Sequence, residues 1–128
     1  MAHYYENPGI YINDDERPWT NWILNRTKTI ETRNKDTLKH LVGRRVALVK
    51  TNRKRKPMVV GYATISDKII YKTQEEFEQD VARHCVPMYS KYHECKSCKY
   101  GYVLTDVTPV IPTPAHGSFS NRSIIDLI

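Results

Sequence analysis

The stretch RVALVKTNRKRKPMVVGYATI, residues 45–65, leaves the chain little choice of architecture. Residues 45–50 and 58–65 are dense in β-branched and apolar side chains and read as two buried strands. The intervening TNRKRKP makes them a hairpin with a strongly basic tip, and Gly61 marks a bulge or a close backbone approach inside the second strand. A chain that must bury such a hairpin needs further strands beside it.

The flanking sequence supplies them. GIYIN, residues 9–13, alternates Ile10 and Ile12 against Tyr11, a first strand. Pro18 suits the first turn of a helix over about 18–26, whose Trp19, Trp22 and Ile23 fall on one face. TIETR follows as a strand, with Thr29, Glu31 and Arg33 on one face and Ile30 and Thr32 on the other. TQEE is a capping box, Thr73 as N-cap and Glu76 three residues on. It opens a helix over about 74–85 that carries Phe77, Val81 and His84 or Cys85 at helical spacing. YGYVLTDVTPVI then makes a strand ended by Pro109, and SIIDLI a last strand after Pro112, Pro114 and Gly117. The order β, α, β, β, β, α, β, β describes an α+β protein: a small open barrel of about five or six strands with two helices. At 128 residues the chain matches one domain, residues 1–128.

Charge narrows the partners. Twenty Lys and Arg against fourteen Asp and Glu give a formal net charge of +6, which favours RNA, DNA or nucleotides through phosphate neutralisation. No apolar run approaches the ~20 residues of a membrane span, and MAHYYENPG lacks a signal-peptide pattern, so the expected location is the cytoplasm, away from membranes. Three cysteines fit reduced thiols better than a disulfide framework.

Four motifs, RPWTNWILNRTKTIETR, LVGRRVALVKT, VVGYATISD and YGYVLTDVTPVIPTP, come in an order that resembles the ASCH domain of the PUA-like superfamily of small β-barrels, over about residues 9–118. The resemblance rests on the Pro-Trp helix start, Lys28-x-x-Glu31-x-Arg33, Gly43 before a strand and the Tyr-Val-Leu strand running into prolines. It implies a cleft beside the first helix that binds RNA, a nucleotide or a modified nucleoside. Some similar proteins are enzymes, ribonucleases or amidohydrolases acting on acetylated cytidine. The amidohydrolases carry a threonine nucleophile where this chain has Glu31, which counts against the same acyl chemistry, and strand alternation makes Thr29 or Thr32 an awkward substitute. The family's usual signature also has a glycine at the position of Arg26, and a non-glycine residue resists the positive φ that a glycine there would allow.

Each candidate residue has a plainer reading beside the functional one. Lys28, Glu31 and Arg33 are either an exposed ion-pair row worth at most about 1 kcal/mol or a cleft in which Glu31 orients two cations toward a phosphate or a base carbonyl. If the protein is an enzyme, Lys28 and Glu31 are its catalytic candidates, Lys28 as base or oxyanion stabiliser. Trp19, Tyr62 and Tyr102 are core residues or stacking surfaces, and nine tyrosines among many cations match the mixture used on single strands. Arg53, Lys54, Arg55 and Lys56 either keep the hairpin tip solvated or neutralise phosphates beside the cleft. His93 with Cys95-x-x-Cys98 resembles a zinc half-site, but His84 and Cys85 make an irregular second half, and unligated thiols are the simpler reading. No other cofactor is indicated. His116 reads as an exposed loop residue or a rim contact. The competing functions are a binding module, a hydrolase, and a domain whose basic surface meets an acidic protein.

Overall fold

A computed structural model describes residues 8–119 and 123–127. Strands β1 (Gly9–Asn13), β2 (Ile30–Arg33), β3 (Arg45–Asn52), β4 (Arg55–Tyr71), β5 (Lys99–Pro114), β6 (Gly117–Phe119) and β7 (Ile124–Leu127) form one sheet in the order β2-β5-β4-β3-β1-β7-β6. Helices α1 (Trp19–Leu24), α2 (Gln74–Gln79) and α3 (Val81–His84) and a 3₁₀ turn at Lys39–Leu41 complete it. The α+β class and the open sheet are as the sequence led us to expect. The three-residue β6 and a third helix are additions.

The hairpin of β3 and β4 forms the centre, with β1 parallel to β3 on its far side. The VALV run is apolar throughout because β3 is buried on both faces. Val46 and Leu48 join the main core with Ile10, Ile12, Ile23, Ile65 and Leu104. Ala47 and Val49 form a smaller cluster with Val59 and Ile125 of β7.

β4 runs for 17 residues and changes register with β5 at Val59/Gly61, Tyr62/Thr64 and Ile65/Asp67. Each bulge bends the strand and adds twist, and the sheet rolls. The outcome is visible at its margins: Arg33 Nη2 of β2 donates to the Tyr11 carbonyl of β1 at 2.6 Å, although β5, β4 and β3 lie between those strands. The barrel therefore has an open seam between β1 and β2, crossed by a side chain rather than by a ladder. Gly61 serves both roles read from the sequence. It sits at a register shift, and a Cβ there would meet Leu24 Cδ2 at 2.6 Å and the Thr108 carbonyl at 2.8 Å, so its absence lets α1 settle on the sheet.

Three local expectations are corrected. Pro109 does not end its strand, because past Leu104 β5 pairs only with β4 among the described residues. Pro109, Pro112 and Pro114 thus sit where one edge needs no ladder donor. The helix over 74–85 breaks at Asp80 into α2 and α3. The Asp80 amide takes the i−3 carbonyl of Phe77, while its carboxylate accepts from the Arg83 guanidinium at 2.7 and 2.9 Å. The basic hairpin tip is only Arg53 and Lys54, and Arg55 and Lys56 already lie in β4.

Helix α1 holds its apolar stripe, Trp19, Trp22 and Ile23, within six residues. Pro18 at its N-cap offers no side-chain acceptor, and Asp14 supplies one from outside the helix by accepting from the Thr20 amide at 3.2 Å and from its hydroxyl at 2.5 Å. At the other end Arg26 takes φ +68°, with its amide bonded to the Ile23 carbonyl, the left-handed exit usually given to glycine. The turn survives the missing glycine, at a conformational cost. We expect Arg26→Gly to stabilise the protein by about 1 kcal/mol, read as a raised denaturant midpoint with unchanged slope. A fall in stability would show that the arginine side chain contributes more than its backbone costs.

Candidate functional site

The left-handed exit from α1 delivers Lys28 to the site. The Lys28 amide donates to the Trp22 carbonyl at 2.9 Å, which fixes its backbone under the helix. Its side chain is 2% exposed. Nζ donates to the His84 carbonyl at 2.5 Å, lies 5.0 Å from the Trp19 ring centroid and 3.8 Å from Glu31 Oε1. Burial pushes the ammonium below its usual range, and the Glu31 carboxylate opposes that shift.

The carbonyl that holds Lys28 belongs to a residue that is itself fixed. His84 is fully buried and stacks on Phe77 with ring centroids 4.0 Å apart. Its Nδ1 accepts from the Val86 amide at 2.9 Å, so Nε2, 2.6 Å from the Phe77 carbonyl, must carry the proton. Burial lowers the pKa of this imidazole, and the neutral Nε2–H tautomer is the form that these contacts require.

Strand alternation places Glu31 and Arg33 on one face of β2, as the sequence predicts. Glu31 Oε2 forms an ion pair with Arg33 Nη2 at 3.1 Å, and that nitrogen donates to the Tyr11 carbonyl. Glu31 therefore stands between two cations and orients both. Arg33 Nε is buried with no hydrogen-bond partner among the described residues.

These groups line a cavity of about 420 Å³ at the seam, together with Trp19, Tyr11, Asn13, Thr32, Thr51, Val86 and Tyr92. That size lies within the roughly 300–1,000 Å³ of small-molecule sites. Trp19 is buried, 5% exposed, and also lines the cavity, with Tyr92 edge-on at 6.3 Å. Sequence reasoning missed Asn13, Thr51, Val86 and Tyr92. Asn13 and Thr51 are register partners in the parallel β1–β3 pair, and no local pattern announces such a pairing.

The structure does not bring the other nominated residues to this cavity. Arg53, Lys54 and Arg55 line a neighbouring groove with Asp14, Asp15, Glu16 and Arg17, where the Arg53 amide donates to Asp15 Oδ1 at 2.9 Å; Lys56 lines neither. Tyr102 is core, its hydroxyl donating to Asp36 Oδ1 at 2.6 Å, and Tyr62 packs on the smaller cluster. His93 contacts Gln74 and Glu78, and Cys98 Sγ faces the Tyr100 hydroxyl. Among the described residues no three His, Cys, Asp or Glu side chains gather as a metal site needs. His116 is exposed.

No protein-family model matches the sequence, and no curated protein matches it. The fold does find counterparts. The crystal structure of ASCH from Zymomonas mobilis superposes with a TM-score of 0.75 at 17% identity, covering 97% of this chain and 89% of that one. The chain has the ASCH fold. A serine-to-alanine mutant of the Zymomonas protein gives 0.74 at 18% identity, with 97% and 89% covered, and a tyrosine-to-phenylalanine mutant 0.74 at 17%, with 96% and 91% covered. The ASCH fold thus spans nearly the whole chain and includes the α1–β2 unit that carries Trp19, Lys28, Glu31 and Arg33. No helix among the described residues is long and apolar enough to cross a membrane.

Proposed function

We propose that this ASCH-fold protein binds a nucleoside or nucleotide, free or within RNA, in the seam cavity. The observation that carries the reading is the Arg33 guanidinium, 17% exposed, lining the cavity beside the aromatic walls Trp19 and Tyr92. A planar base gains about 1–3 kcal/mol by stacking on such a wall. A carbonyl or phosphate oxygen would satisfy the arginine, whose charge-assisted bonds are the stronger kind. Lys28 is already committed to His84, Glu31 and Trp19, so its part is to hold Glu31, while Arg33 meets the ligand. The basic hairpin, outside the cavity, contributes a sequence-blind and salt-sensitive attraction.

A hydrolytic reading has one observation of its own: Thr32 lines the cavity with Lys28, and burial of that lysine favours its neutral, proton-accepting form. Both readings meet in one experiment. The protein is incubated with mixed RNA oligomers and modified nucleosides including N4-acetylcytidine, beside Lys28→Ala and Arg33→Met, and mass spectrometry reads retention and conversion separately. Retention without conversion, lost in Arg33→Met, is the expected result. Conversion abolished by Lys28→Ala would establish the hydrolase, and neither retention nor conversion at moderate salt would favour an acidic protein as the partner of the basic surface.

A further inference from the structure

The cavity wall formed by Tyr92 belongs to the connection between α3 and β5, which also carries the Cys95-Lys96-Ser97-Cys98 segment that the ligand reading leaves unused. Both thiols are free and partly exposed. Consecutive bends at Lys96 and Ser97 fold the chain back between them. Two successive bends draw the ends of the four-residue segment toward each other, as a disulfide between them requires, and Cys95 lies near enough to feel the charge of Cys98.

The surroundings hold the two thiols differently. Cys95 packs against the main core, and its amide donates to Gln74 Oε1 at 2.8 Å, while Gln74 Nε2 holds the His93 carbonyl at 2.9 Å. Cys98 has its thiol 3.3 Å from the Tyr100 hydroxyl. The next residue, Lys99, is 2% exposed, and its ammonium donates to the Tyr92 carbonyl. A displacement of Cys98 toward Cys95 is therefore passed through Lys99 to Tyr92, whose ring meets Trp19.

We propose that Cys95 and Cys98 are a redox modification site, a dithiol that a low-molecular-weight disulfide converts to an intraloop disulfide, shifting the Tyr92 wall of the cavity. The Cys98 thiol loses its proton to solvent, and the thiolate attacks one sulfur of the oxidant, breaking its S–S bond and expelling one thiolate. The Cys95 thiolate then attacks the mixed disulfide at the Cys98 sulfur and expels the second. Two protein thiols are oxidised by two electrons, and one external disulfide becomes two thiols. Cys85, at the far end of the connection, takes no part. The proposal is independent of the ligand reading.

The test titrates the folded protein with oxidised glutathione, followed by thiol counting, peptide mapping and tryptophan emission. Three titratable thiols should fall to one, Cys85, with a Cys95–Cys98 cross-link that reduced glutathione reverses. Emission should shift with the cross-link, in Cys85→Ser as in the natural chain. Cys98→Ser should keep its emission unchanged, and Cys95→Ser should stop at a glutathione adduct on Cys98. A folded chain whose thiols stay unreacted, a lasting adduct in place of the cross-link, or pairing through Cys85 would overturn the site. A cross-link that leaves the emission unchanged would overturn its coupling to the cavity.

Discussion

Replacing Glu31 with alanine costs the protein about 3–5 kcal/mol, because it strands two largely buried cations without their carboxylate. Lys28 and Arg33 have side chains 2% and 17% exposed, and Glu31 is the carboxylate paired with both. Glu31→Gln keeps an acceptor for Arg33 and costs less. The decisive comparison is the pair of changes: Lys28→Met in the Glu31→Ala background removes the charge that was left alone, so the double variant recovers stability relative to Glu31→Ala, with a coupling of about 1–3 kcal/mol. Chemical denaturation of the four chains reads it. Additive losses would mean that Glu31 acts by packing alone, and that the row is not an electrostatic unit.

Acid weakens the protein through His84. The imidazole is buried neutral, and its pKa lies below the usual 6.5, so between pH 6.5 and its folded value the unfolded chain binds the extra proton. Its contribution to stability is fully present above pH 6.5 and is lost as pH falls through the folded pKa. Protonation would turn Nδ1 from an acceptor into a donor aimed at the Val86 amide, loosening Val86, a cavity wall, and the carbonyl that holds Lys28. His84→Ala leaves the Val86 amide and the Phe77 carbonyl without these partners and removes the ring stacked on Phe77, a loss of about 2–5 kcal/mol. Denaturation midpoints from pH 7.5 to 4.5 should fall for the natural chain, and this component of the fall should vanish in His84→Ala. Parallel pH profiles would assign the acid sensitivity to other groups.

The parts of the site that were legible in the sequence are those set by spacing along one element. Glu31 and Arg33 could be read together because a strand returns every second side chain to one face, and Thr73 because a cap acts over one turn; in the structure the Thr73 hydroxyl accepts from the Glu76 amide at 3.1 Å. What was illegible depends on pairings between distant segments. Asn13 and Thr51 meet through the parallel β1–β3 ladder, and Tyr92 arrives on a connection anchored by a buried lysine. The Pro109 rule failed for a similar reason: whether a proline ends a strand depends on whether its edge has a neighbour, and the sequence does not state the neighbour. The hairpin charge was legible as charge, but its position in the adjoining groove was decided by the roll of the sheet.

We propose that the seam cavity, and not the net charge, selects the ligand. The most direct measurement is equilibrium binding of whichever nucleoside or nucleotide the protein retains, across a salt series, for the natural chain, for Arg33→Met, and for a variant with Arg53, Lys54, Arg55 and Lys56 all changed to glutamine. Arg33→Met should weaken binding about tenfold or more at every salt concentration, the loss of one charge-assisted hydrogen bond, while the hairpin variant changes chiefly the salt slope. Binding that survives Arg33→Met and disappears with the hairpin charges would contradict the account.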